Sequence, residues 1–547
     1  MARKGSRKVR TGCLTCKIRK VKCDEGKPHC DRCVRTGRKC DGYATPEELG
    51  LVSVRPRQGF QGIETVDEGR ALQFFCEIAG PFLSGATDPY FWTRLVMQFS
   101  NFEPAVRQSV VAISTLYEQV QADPEPKVRL QDSRLALRHY NAAIRELKSM
   151  DNQPLVLLVC VLFICIEFLQ SNREAAIEHC KHGIAILEKI GPDVPWVKEY
   201  LVPVFRRLSV FPFFFGNDTT NFPNLVALES PSPASFSSFS DAHSMMDGTF
   251  SRTLQLVRQG DPYRLGTSRH EAVPLQLCAK QKEIKALLEQ WQVLFDSFEE
   301  RSMLAATPVT EHFQLGEDYM KKMSRVFLSV RHEVCRIWSE MAFTSDETAY
   351  DVYIDNFRRL IKKCISLIIT LPEGAKITAT SPKFIFETGF TPMLFFIAMK
   401  CRCLETRLEA LRLMAVLGVP RENLWEVSTM QALGRRVVEI EHDIVLNDLY
   451  PPTDLSSAHP LPPDEMRVRD TWTESQASIK TTLRGHDICG RLAGFFVRTD
   501  EGEINLHTEF MDEREGAPRE RIRPNNPYSA SMKPDTSWAQ MEPSVVV

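Results

Sequence analysis

The run Cys13-Leu-Thr-Cys16-Lys-Ile-Arg-Lys-Val-Lys-Cys23-Asp-Glu-Gly-Lys-Pro28-His-Cys30-Asp-Arg-Cys33-Val-Arg-Thr-Gly-Arg-Lys-Cys40 holds six of the chain's 16 cysteines. The triplet Cys13, Cys16, Cys23 recurs as Cys30, Cys33, Cys40 at an offset of 17 residues. Zinc takes four ligands in a tetrahedron, and thiolates suit it. One ion would leave two of these cysteines idle, and two separate tetrahedra would need eight. Six serve two Zn²⁺ ions when two sulfurs are shared. The repeat makes Cys13 and Cys30 the equivalent pair to bridge. One ion then takes Cys13, Cys16, Cys23 and Cys30, and the other takes Cys30, Cys33, Cys40 and Cys13.

Electrostatics point the same way. Six thiolates and two Zn²⁺ sum to −2, which calls for cationic surroundings. Fourteen of the 68 Lys and Arg residues fall in residues 1–42 against four acids. That head carries +10 and the rest of the chain −12, inside an overall −2. A basic head on an acidic body predicts a polyanionic partner for the head alone. So short a segment cannot bury an adequate apolar core, so the metals are what fold it. A disulfide framework would need an oxidising compartment. Yet the N-terminus is basic and polar, with no apolar stretch of the secretory kind. A RING-like or ribbon site would need eight ligands or a histidine, and His29 directly abuts Cys30.

The same residues resemble the fungal-type zinc binuclear cluster family of transcription factors. Pro28, two residues before Cys30, matches that family's loop proline. The resemblance implies a short helix after Cys16 that enters the major groove of double-stranded DNA and reads a CGG-like triplet. Carried over position by position, Lys20 is the base reader, bonding guanine O6 and N7. Arg19 assists it, and Lys17 and Lys22 hold phosphates. The family further implies a nuclear regulator of RNA polymerase II transcription that works with the transcription machinery or coregulators. By analogy it controls a metabolic or secondary-metabolite pathway.

Beyond the cluster, residues 43–65 carry Pro46, Pro56, Gly50, Gly59 and Gly62 and read as a disordered linker. From 66 to 450 the pattern is helical and predicts an all-α domain. Leu135, Ile144 and Leu147 mark one amphipathic helix, Leu155–Leu169 a buried one, and Ala176, Ile177, Cys180, Ile184 and Leu187 a third. Periodicity resumes at 277–298, 325–343, 347–370, 392–417 and 421–443. A Ser/Pro-rich insertion is expected at about 217–250, with its Ser/Pro core at Ser230–Ser240. No alternating pattern recurs often enough to predict a sheet. Residues 451–499 read as a Pro-containing extension, and 500–547 as a mostly disordered tail. Phe91-Trp-Thr-Arg-Leu-Val-Met-Gln98 followed by Glu103-Pro-Ala-Val-Arg107 is similar to the opening of the fungal-specific transcription factor domain. The pair Leu155–Leu169 and Ala176–Leu187, with Pro392–Arg402 and Arg421–Trp425, fits that domain's later parts.

The longest apolar run, Leu155–Ile166, is too short to span a bilayer, so no membrane partner is expected. Residues 43–65 show no sustained a/d pattern, and their prolines and glycines oppose a continuous helix. Any dimerisation therefore falls to the helical body. His179 and His182 read as helix residues in structural roles, and Cys401 and Cys403 as packing residues two apart on a helix, pointing in different directions. No phosphate-binding glycine loop, nucleophile elbow or zinc-protease helix motif is present, so the chain is read as no enzyme. A helical enzyme would show acids or histidines converging in a pocket of the body. A scaffold whose cluster only binds a partner protein would not need the basic pair Arg19 and Lys20.

Overall fold

The computed structural model describes residues 13, 15, 16, 19, 21–26, 29–40, 60, 63–85, 87, 89–122, 128–190, 194–215, 232–304, 314–369, 381–446, 460–475, 477–481, 487–499 and 502–512. The chain divides into two compact units, Met1–Gln61 and Gly62–Val547. Most of the linker, the arm 1–12 and the tail beyond 512 lie outside the described residues.

The second unit is a helical body. Helix Gln153–Leu169 is buried from Leu157 through Leu169. It packs against Pro104–Ala122 and Arg173–Ile190, and Pro104–Ala122 also packs on Arg134–Lys148. Arg134–Lys148 has the expected single apolar stripe, capped by Ser133, whose hydroxyl accepts from the Ala136 N–H. Glu167, at the end of the apolar run, is buried and accepts from Asn172 Nδ2 at 2.9 Å and the Tyr140 hydroxyl at 3.3 Å. The second half is built on Phe239–Arg264, Leu275–Leu304, Gln314–Glu340, Ile354–Ile369, Thr391–Lys400, Leu404–Leu417 and Val427–His442.

The helical reading needs four corrections. Residues 470–512 hold a four-stranded antiparallel sheet. The long strand β6 (Asp487–Arg498) pairs along one edge with β4 (Asp470–Thr473) and β5 (Ser478–Thr481), and along the other with β7 (Ile504–Asp512). A boundary at residue 500 therefore cuts a sheet between β6 and β7. Ala493, Phe495, Val497 and Met511 of this sheet join the core of the helical body. Residues 421–426 are not helical. They form a tight hairpin, β2 (Arg421–Glu422) and β3 (Trp425–Glu426), with β2 also pairing parallel to β1 (Phe384–Ile385). Asn423 turns it at φ 51°.

The Ser/Pro-rich insertion ends earlier than 250. Ser238 caps helix Phe239–Arg264 in a capping box with Asp241, and Phe236 is buried. Finally, the helix expected over 392–417 breaks at Cys401–Cys403. Arg402 is fully buried there, and it reaches Glu347 Oε2 at 2.9 Å, Glu441 Oε1 at 3.2 Å and the Val468 carbonyl at 3.2 Å. A guanidinium taken out of water needs such partners, and that demand overrides helix continuity.

Candidate metal centre

The six cysteines converge in the first unit. Cys13, Cys16, Cys30, Cys33 and Cys40 are buried and Cys23 half-buried. Two groups of four sulfurs, Cys13/Cys16/Cys23/Cys30 and Cys13/Cys30/Cys33/Cys40, each lie within 4.8 Å of one another. Cys13 and Cys30 belong to both, and their sulfurs are 3.5 Å apart. Cys13···Cys33 is 3.8 Å and Cys16···Cys30 is 3.7 Å. A tetrahedron with Zn–S bonds of about 2.3 Å has S···S edges of about 3.8 Å. The sulfur cage thus has the size of a zinc–thiolate cluster. Among the described residues no other group of His, Cys, Asp and Glu is placed to hold a metal.

Local backbone builds the cage twice. The Cys16 N–H donates to Cys13 Sγ at 3.4 Å, and the Cys33 N–H donates to Cys30 Sγ at 3.4 Å, the same bond one repeat later. Thr15 and Cys16 are helical, and Cys30 caps the short helix Asp31–Arg35. That helix stops at Thr36, and Gly37 follows at φ 61°, the left-handed conformation that ends helices and that glycine adopts without strain. Two bonds tie the halves: Thr15 Oγ1 donates to the Lys39 carbonyl at 3.3 Å, and Arg19 Nη1 donates to Thr36 Oγ1 at 3.5 Å. Burial pushes the Cys13 thiol up to about 12 and raises Cys30 and Cys16 as well. Such thiols give up their protons to a metal, whose charge stabilises the thiolates.

Sequence reasoning overlooked Asp24. Its Oδ1 accepts from the Gly26 N–H at 3.1 Å and the Asp31 N–H at 3.0 Å, and Oδ2 from the Arg32 N–H at 2.7 Å. One carboxylate therefore closes the loop between the triplets and satisfies two free amides at the start of the second helix. Those bonds, the Gly26 N–H foremost, hold its carboxyl below the usual range. The signal was present: an Asp directly after a ligand cysteine, six residues before the cap Cys30.

Of the four residues that the family resemblance assigns to DNA, Arg19 is half-buried and turned toward Thr36, and Lys22 is exposed. Lys17 and Lys20 lie outside the described residues, as does Pro28. His179 packs edge-on against Phe163 at 5.8 Å, and its carbonyl accepts from Cys160 Sγ at 3.0 Å, so it serves the helix packing. In the body, a recess is lined by Arg207, His243, Phe250, Phe327, Arg331 and Trp425, among others. Its charges pair with one another: Arg207 forks onto Glu387 at 2.6 and 2.8 Å, and Asp247 is held by Arg331 and by Arg207 at 3.5 Å. Burial holds His243 down to about 4.

Residues 11–48 match the family model of the fungal Zn(2)-Cys(6) binuclear cluster domain. The chain carries that domain at its N-terminus. Such a domain binds two zinc ions. The chain is 34% identical over 218 residues to the aspercryptin biosynthesis cluster-specific transcription regulator atnN of Emericella nidulans, covering 32% of this chain and 34% of the relative. It is 27% identical over 206 residues to the transcription regulator lscL of Purpureocillium lilacinum, covering 32% and 48%. It is 41% identical over 61 residues to white-opaque regulator 2 of Candida albicans, covering 11% and 13%. The alignments to the first two are far longer than residues 11–48, so the likeness runs into the body. The chain spans between a third and a half of the length of those two relatives. No solved structure matches it. No helix among the described residues is long and apolar enough to cross a membrane.

Proposed function

We propose that this chain is a nuclear, sequence-specific DNA-binding regulator of RNA polymerase II transcription. Its two zinc ions are held by Cys13, Cys16, Cys23, Cys30, Cys33 and Cys40, with Cys13 and Cys30 bridging. The observation that carries this reading is the pair of four-sulfur groups sharing those two cysteines, set in a segment of charge +10. The cluster gives a rigid frame, and the basic surplus gives it a phosphate-lined partner. Lys20 reads a CGG triplet, Arg19 assists, and Lys17 and Lys22 hold phosphates. The acidic body meets coregulators and carries any dimer contact. The name of the aspercryptin regulator supports control of a secondary-metabolite pathway.

Fluorescence anisotropy on a CGG duplex and a random duplex, across a salt series, tests the reading. Lys20→Ala should cost about 1–3 kcal/mol on CGG and little on random DNA. Lys22→Ala should weaken both alike and lower the salt slope by roughly one unit. Equal losses on both duplexes for Lys20→Ala would remove Lys20 from the base-reading role.

A further inference from the structure

The break between helices Thr391–Lys400 and Leu404–Leu417 places two cysteines in an arrangement that a continuous helix would forbid. Cys401 has φ −86° and ψ 117°, and Cys403 has φ −67° and ψ 112°, both extended. In extended chain, residues two apart share a face, whereas on a helix they diverge. Arg402, between them, points away into the buried ion cluster with Glu347 and Glu441.

The two thiols differ in character. Cys401 is buried, and burial pushes it up to about 11. Cys403 is half-exposed at the N-cap of its helix, and Arg358 Nη2 donates to its sulfur at 3.5 Å. Burial acts to raise Cys403, but Thr406 and Arg358 outweigh it and hold the thiol below its usual range. A second cation stands behind Cys401. Arg407 is fully buried, its Nη2 has no hydrogen-bond partner, and its charge and the Cys401 sulfur act on each other. A half-exposed thiol held by a guanidinium, with a second thiol two residues away along the same extended stretch, is the arrangement of a redox-reactive pair.

We propose that Cys401 and Cys403 form a peroxide-sensitive dithiol whose oxidation releases the C-terminal segment from the helical body. The Cys403 thiolate attacks a peroxide oxygen, the O–O bond breaks, and Cys403 becomes a sulfenic acid as hydroxide (or alkoxide) leaves. Cys401 then attacks the sulfenic sulfur. Its proton and the sulfenic hydroxyl leave as water, and a disulfide forms. The two sulfurs are each oxidised by one electron, and the peroxide takes both. A cellular thiol reverses the bridge by exchange.

Geometry couples this bond to the rest of the body. Two extended steps span about 7 Å, the upper limit for a disulfide's Cα separation, so bridging draws the segment shorter. Arg402 sits in the middle of that segment. Its guanidinium holds the Val468 carbonyl at 3.2 Å, and Lys400, just before Cys401, donates to the Arg469 carbonyl at 2.6 Å. Shifting them loosens residues 467–469, which lead directly into β4.

The test uses the full zinc-loaded chain, limiting hydrogen peroxide and site-resolved mass spectrometry after alkylation and tryptic digestion. Trypsin cuts after Lys400, Arg402 and Arg407, so the bridge appears as the Cys401–Arg402 dipeptide joined to the Cys403–Arg407 peptide. Cys401→Ser should halt at a dimedone-trapped sulfenic acid on Cys403, and Cys403→Ser should show neither product. Arg358→Gln should slow the reaction by roughly threefold to tenfold. Arg467 and Arg469, each 1% exposed, should become cleavable by brief native proteolysis after oxidation. The proposal is overturned if Cys403 oxidises no faster than half-buried Cys76, whose thiol burial pushes up to about 11. A bridge that leaves Arg467 and Arg469 as protected as before overturns it as well.

Discussion

Replacing Glu441 with Gln removes one negative charge from the centre of the body while keeping the side chain's shape. Its carboxylate is fully buried. It accepts from Arg407 Nη1 at 2.6 Å, Arg402 Nη2 at 3.2 Å and the Val468 N–H at 2.8 Å. Without it Arg407 loses the carboxylate it pairs with, and Arg402 keeps only Glu347. Breaking a buried pair by removing one partner costs about 3–5 kcal/mol. The protonation equilibrium of the carboxyl leads to a similar magnitude. Burial alone would raise Glu441, but Arg402 and Arg407 overcome it and hold the carboxyl at about 2 against an ordinary 4.5. That difference is worth about 3 kcal/mol. Because the native value is the depressed one, this stability is present above pH 4.5 and is lost as pH falls through 2. Urea unfolding followed by tryptophan fluorescence reads the body alone, since all seven tryptophans lie beyond residue 90. At pH 7 Glu441→Gln should lose about 3–5 kcal/mol, and the gap to wild type should shrink below pH 4.5. A loss under about 1 kcal/mol, the size of an exposed ion pair, would show that the cluster is not buried as described.

Two further outcomes follow from close contacts. Asp24→Ala strips the acceptor from the Gly26, Asp31 and Arg32 amides, so zinc affinity measured by chelator competition should fall by roughly tenfold, with Asp24→Asn intermediate. An added Cβ at Gly183 would lie 2.3 Å from Phe205 Cε1 and 3.1 Å from Cys160 Sγ. Phe205 is fully buried and has no room to yield. Overpacking of about 1–3 kcal/mol then exceeds the gain of about 1 kcal/mol from Gly to Ala in a helix. Gly183→Ala should therefore lower the urea midpoint, and a raised midpoint would contradict this packing.

The cluster was legible because metal ligation is written in local spacing, and the buried helices because apolar runs such as Leu157–Leu169 have one physical use. The sheet was hidden. β6 carries Gly490 and Gly494, where a Cβ would lie 2.0 Å from the Met511 carbonyl and 2.8 Å from Leu506. Close strand approach thus demands glycine and erases the alternation. Arg491, also in β6, is buried against Glu426 and reads in sequence as solvent-facing. The break at Cys401–Cys403 was invisible for a related reason. Arg402 looks like a helix residue until Glu347 and Glu441, distant in sequence, are brought to it by the fold.

Zinc stoichiometry of the full chain by native mass spectrometry, with single cysteine variants, bears most directly on the shared-sulfur cluster. Wild type should carry two zinc ions, as its domain family implies. Cys13→Ala and Cys30→Ala should lose both, since each belongs to both four-sulfur groups. Cys16→Ala and Cys40→Ala, each in one group, should retain partial binding of a single ion. One zinc per wild-type chain, or a Cys30→Ala variant that keeps one ion as firmly as Cys16→Ala, would contradict the bridged cluster on which the DNA-binding reading stands.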